Sequence, residues 1–137
     1  MKELTTYLIF NGNCRQAMQF YAKCLNAELH MMSFGESPGE IPKEAKDRVM
    51  HARLAKAMAV VMASDNMPGM AFQQGDNFSI AVTCENVDET DRIFNALADQ
   101  GKIKMPLQET FWAFRFGMLT DQFGINWMVT FNKPAQA

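Results

Sequence analysis

Apolar and polar positions alternate between two periods along this chain, and the order of the two repeats. The stretch TTYLIF (5–10) is rich in strand formers, and GNCRQAMQFYAKCLNAE (12–28) then sets Ala17, Met18, Tyr21 and Leu25 at helical spacing. AELHMMSFG (27–35) returns to a strand pattern, and ESPGEIPKEAKD (36–47), with two prolines and many charges, reads as a solvated loop. RVMHARLA (48–55) and MAVVMASD (58–65) form a predicted hairpin turning near Lys56 and Ala57.

After the loop NMPGMAFQQGD (66–76) the order begins again. NFSIAVTC (77–84) predicts a strand, and NVDETDRIFNALADQG (86–101) a helix that buries Val87, Ile93, Phe94 and Leu97 and stops at Gly101. KIKMPLQ predicts a short strand, and FWAFRFGML with INWMVTF a closing hairpin whose turn spans Asp121 to Gly124. An offset of 74 residues lays Leu29 over Ile103 and Met31 over Met105 (103 − 29 = 74). The pattern is thus α+β, two β-α-β-β-β modules at about 1–65 and 77–133 within one domain covering 1–137. Each helix covers one face of its sheet, so the modules are expected to pair into a curved mixed sheet with a central cleft.

Composition narrows the possible functions. A chain of 137 residues with 48% apolar content supports one compact domain. Its net charge of −2 comes from interspersed acids and bases, and a nucleic-acid partner would need a clustered positive surface. MKELTTYLIFNGN matches neither a secretory signal nor a membrane span, so a cytoplasmic protein without a membrane partner is expected. Cys14, Cys24 and Cys84 have no metal or redox spacing and read as buried free thiols. Twelve Met and eleven Phe either fill an irregular core or also line a cavity that adapts to a ligand.

Several stretches carry a family resemblance: FNGNCRQAMQFYAKCLNAEL, FGE after the second strand, HARL before a strand ending in ASD, and QETFWAFRFGMLTDQFGINWM. By these the chain resembles the vicinal oxygen chelate superfamily (glyoxalase I, fosfomycin-resistance proteins, extradiol dioxygenases), and most closely its PhnB-like group. The resemblance implies a glyoxalase-like fold in which metal-dependent members bind one divalent ion through the first and last strands of each module. Carried across, those positions are Thr6 or Thr5, Met62, Ser79 and Met128. Thioethers and hydroxyls hold Mn²⁺, Ni²⁺ or Zn²⁺ poorly, so no metal and no cofactor is expected. PhnB-like sequences sometimes carry a demethylubiquinone methyltransferase label. Here the first module passes from YLIF through NGN to a helix, without the glycine-rich turn and later acid of the usual methyl-transfer fold.

The expected ligand-binding residues are His51, Met62, Ser79, Glu109, Trp112, Phe116 and Met128. Each has a plainer reading beside it. His51 is either a hydrogen-bonded structural residue or a pocket donor, and the HA pair shared with PhnB-like sequences adds to the second. Strand alternation puts Trp112, Phe114 and Phe116 on one face, as core or as an apolar wall, with Arg115 opposite and Glu109 at the rim. Asp65 and Asp121 begin turns and are expected to bond backbone there. The function expected is binding of an unidentified small molecule in an apolar cleft without the superfamily metal. The alternatives are a lyase or dioxygenase-type enzyme, metal-dependent or using His51 or Glu109 as acid and base, and an interaction module. A homodimer is expected, because unpaired strand edges and apolar surface call for a cover.

Overall fold

The computed structural model describes residues 1–135 and divides into two compact units, Met1–Gln73 and Gln74–Ala137. The first holds β1 (Thr6–Phe10), α1 (Cys14–Leu25), β2 (Glu28–Ser33), β3 (Val49–Lys56) and β4 (Ala59–Asp65). The second holds β5 (Ile80–Thr83), α2 (Val87–Ala98), β6 (Lys102–Gln108), β7 (Ala113–Thr120) and β8 (Asn126–Asn132). The sheet orders are β1-β4-β3-β2 and β5-β8-β7-β6, so the second unit repeats the topology of the first. In each, one parallel pair (β1 with β4, β5 with β8) is followed by antiparallel pairs. This is the glyoxalase-like α+β fold.

In the first unit, α1 buries Cys14, Ala17, Met18, Tyr21 and Cys24, a stripe at intervals of three and four residues. The stripe meets Leu8, Phe10, Ala52, Leu54 and Ala63, which alternate along their strands and are buried. Small residues at 52 and 63 lie opposite each other in the register and leave room for the helix. The helix ends on Asn26 in the left-handed region (φ 52°), with the Ala27 N–H bonded to the Ala22 carbonyl. Its start is held from outside, for Asn13 makes no side-chain cap. Asp65, at the end of β4, accepts there from the N–H groups of Gly12 (2.8 Å) and Cys14 (3.0 Å) through Oδ1. Its Oδ2 accepts from the Val49 N–H at 2.9 Å, so one buried carboxylate joins the β1–α1 turn, β3 and β4.

In the second unit, α2 buries Thr90, Ile93, Phe94 and Leu97 against Leu119, Trp127 and Val129, and Asn86 caps it by accepting from the Glu89 N–H at 2.8 Å. Asp121 plays the turn role: Oδ1 accepts from Phe123 N–H (2.7 Å) and Ile125 N–H (3.1 Å), and Oδ2 from the buried Trp127 indole (2.8 Å). Gly124, at φ +84°, completes the turn.

Three expectations need correction. The second helix stops at Ala98, short of the stop expected at Gly101, and Gln100 takes the left-handed conformation (φ 57°). Gly101 instead lies so close to the Thr120 carbonyl that a Cβ would collide with it. The strand expected over 77–84 is only Ile80–Thr83, because the Asn126 amide donates to the Asp76 and Phe78 carbonyls (3.2 and 3.3 Å) where ladder bonds would run. A register shift between Ala113 and Arg115 interrupts alternation, and Phe114 packs on Phe131 (ring centroids 5.3 Å apart) instead of continuing the Trp112 and Phe116 face.

Removing the Asp65 carboxylate orphans three backbone donors. Asp65→Ala is therefore expected to lower the unfolding free energy by about 2 to 4 kcal/mol in urea titrations. A loss below about 0.5 kcal/mol, the usual scatter for surface changes, would contradict this role.

Candidate functional site

Each sheet has a face that its own helix does not cover. On the first unit's open face, alternation and register place Tyr7, Met62, Arg53 and His30 in one row, opposite one another on β1, β4, β3 and β2. The next row carries Ile9 on β1 and the facing pair His51 and Met32 on β3 and β2. The apolar side chains of this face are open to solvent beside Arg53 and the two histidines, with Ile9, Met32 and Tyr7 exposed by 49%, 44% and 42%.

The Tyr7 hydroxyl lies 3.0 Å from His51 Nδ1, and the two rings stack at 28° with centroids 5.7 Å apart. Tyr7 was not among the residues singled out from sequence. The signal was there: Leu8 and Phe10 are buried on the helix side, so Tyr7 and Ile9 must face the other way. The same alternation turns Thr6 toward the helix side, away from the face that carries Tyr7, and Thr5 precedes the strand.

Met62 lies on this open face, opposite both Tyr7 and Arg53. In the second unit Met128 faces Met118 and Ala81 on the open side, and Ser79 lies exposed just before β5. Phe116 is buried beneath Trp112, the rings meeting edge to face with centroids 5.3 Å apart, and Phe111 stacks likewise on Trp112 at 4.9 Å. Glu109 is exposed and bonded to Lys133 Nζ at 2.7 Å. That hydrogen bond and charge hold its carboxyl below the usual range, so its charge is balanced rather than presented to a ligand. Arg115 Nη1 donates to the Phe114 carbonyl. The structure thus brings His51 and Met62 onto one face and Trp112 and Phe116 into one aromatic contact, each within its own unit.

Met62, Ser79 and Met128, with Thr5 or Thr6, offer thioethers and neutral hydroxyls, which do not suit a borderline or hard divalent cation. Among the described residues no group of three or more His, Cys, Asp and Glu side chains could hold a metal ion.

A sequence model described as 3-demethylubiquinone-9 3-methyltransferase matches residues 2–130. The chain belongs to this PhnB-like family. Protein YjdN of Escherichia coli (strain K12) is 40% identical over 138 residues, 92% of each chain. The crystal structure of PA1353 from Pseudomonas aeruginosa is 44% identical with a TM-score of 0.88, over 98% of this chain and 100% of that one. The PhnB protein of Bacillus cereus is 31% identical with a TM-score of 0.76, over 95% and 99%. A glyoxalase/bleomycin-resistance/dioxygenase domain from Frankia and a fosfomycin-resistance protein from Listeria monocytogenes share the fold at 12% and 14% identity, a likeness of fold alone. Among the described residues no helix is long and apolar enough to cross a membrane.

Nucleophilic chemistry from the thiols is disfavoured. Burial, with the Asp65 charge beside it, pushes the Cys14 thiol up to about 12, and burial also raises that of Cys84. Cys24 is buried too. At pH 8 a thiol reagent is expected to find no fast-reacting cysteine in the native protein and three after unfolding. A rapid stoichiometric reaction of Cys14 would contradict the packing around α1.

Proposed function

We propose that this PhnB-like protein binds a small molecule against the open sheet faces of its units, without the metal typical of its superfamily. The observation that carries the reading is the Tyr7–His51 pair: a hydrogen-bonding couple set among exposed Ile9 and Met32 and half-buried Met62 on a face its helix leaves uncovered. Ligand sites commonly combine such apolar walls with a few placed polar groups. Met suits this use because its thioether chain repacks at little cost. The same Tyr7–His51 bond favours one alternative, an acid/base enzyme in which the phenol orients the imidazole. The family's methyltransferase description finds little support here. Each unit is a four-stranded mixed sheet with a single parallel pair, unlike the open parallel sheet on which nucleotide-like cofactors usually sit.

The working unit in this reading is a cytoplasmic homodimer. Exposed Phe111 and Trp112 form an aromatic surface in the second unit, and β1, β2, β5 and β6 are sheet edges. A second copy covering the aromatic strands would bury at least about 1,200 Å² in total. Light scattering is expected to give twice the chain mass of 15.5 kDa at micromolar concentration. A mass of one chain, independent of concentration, overturns the dimer.

Ligand-observed NMR with apolar fragments carrying one polar group tests the binding reading. Hits are expected on the native protein and loss of most of them on His51→Ala, whose thermal unfolding stays near that of the native chain. Hits that persist on a stably folded His51→Ala protein would remove His51 from the site. Hits lost together with a large drop in melting temperature would mark His51 as structural. Elemental analysis of purified protein is expected to find less than about 0.1 Ni, Mn, Fe or Zn per chain, as the donor chemistry requires. About one metal per chain would overturn the metal-free reading.

A further inference from the structure

Arg53 is the unspent charge of the first unit's open face. It is exposed, it lies opposite Met62 on one side and His30 on the other, and no carboxylate among the described residues is within ion-pairing distance of it. The acid nearest in the register, Glu28, is engaged by His30, with Nε2 and Oε1 2.9 Å apart. His51 is two residues from Arg53 on the same strand and the same face, so their Cα atoms are separated by about 6.6 Å. A guanidinium on its three-carbon stem spans that distance easily, and both side chains reach one bound group.

The Tyr7 contact decides what His51 presents. A phenol oxygen shares its lone pairs with the ring and accepts weakly, whereas an imidazole nitrogen is a good acceptor. Tyr7 therefore donates to Nδ1, and the ring proton of the neutral imidazole sits on Nε2. No described residue takes up Nε2, so the face offers an N–H donor beside a free guanidinium. Around them lie Met62, Met32 and Ile9, all apolar.

We propose that Arg53 and His51 form an anion-binding pair on this face, taking the carboxylate of a small molecule whose apolar body rests on Met62, Met32 and Ile9. Arg53 holds the carboxylate through paired N–H donors, and Nε2–H of His51 donates to one of its oxygens. Tyr7 acts as a positioning residue that fixes the imidazole tautomer. The inference rests on the small-molecule reading above and adds the chemical class of the ligand.

The test titrates the full chain with benzoate, its neutral isostere benzamide, and inorganic phosphate, following the side-chain ¹⁵N signals of His51 and Arg53. Benzoate is expected to bind best, and Arg53→Met, which keeps the apolar stem, to weaken it about tenfold or more while leaving benzamide unchanged. Tyr7→Phe keeps the stacked ring and is expected to move the His51 nitrogen signals away from the pure Nε2–H pattern. Two results overturn the anion pair while the small-molecule reading stands: benzamide binding as tightly as benzoate, or benzoate binding indifferent to Arg53→Met. Phosphate binding more tightly than benzoate replaces the apolar carboxylate with a bare oxyanion and overturns the ligand class. If no probe binds and the fragment screen also finds nothing, both readings fail together.

Discussion

One helix covers only one face of a four-stranded sheet, and the rest of this protein follows from that constraint. In each unit the apolar stripe of a 12-residue helix is spent on alternate strand positions: Leu8, Ala52 and Leu54 in the first, Leu119, Trp127 and Val129 in the second. The other alternate positions are left without a partner from their own helix. A sheet whose second face met only water would be expected to carry polar residues there. This chain carries Tyr7, Ile9, Met32 and Met62 on one open face and Met118 and Met128 on the other. Those side chains, with the few polar groups among them, are where function has to be sought.

The covered faces are held in register by two buried carboxylates used in the same way. Asp65 gathers three backbone N–H groups from the β1–α1 turn and β3, and Asp121 gathers two from its turn and the Trp127 indole. Both acids are consumed by structure, as is Glu109 by Lys133. On the first unit's open face the Tyr7–His51 pair and Arg53, which makes no ion pair among the described residues, are the polar groups on which the proposed anion site rests.

Much of this was legible in the amino-acid order. Helix and strand periods are clear where one face is buried and the other is not, so α1, α2 and the β3–β4 and β7–β8 hairpins fall close to where the pattern puts them. The turn roles of Asp65 and Asp121 follow from their positions at strand ends. The departures have local causes that no periodicity carries. The Asn126 amide takes over the carbonyls that would have lengthened β5, and the bulge before Arg115 reverses the side on which Phe114 lies. The Tyr7–His51 bond joins residues 44 positions apart and depends on register across β1, β4 and β3, which alternation constrains but does not state. His51 was visible as a candidate; the partner that orients it was not.

The central claim is that the open face of the first unit receives a ligand, and the methionines themselves can report on it. The chain has 12, and ¹³C-methyl labelling gives each a separate probe: Met62 and Met32 lie on the open face, and Met18 is buried on the sheet-facing side of α1. Titration with benzoate is predicted to shift the Met62 and Met32 methyl signals in a saturable way and to leave Met18 unmoved. Saturable shifts at Met18 or at the exposed Met58 and Met70, with Met62 and Met32 unchanged, would contradict the account.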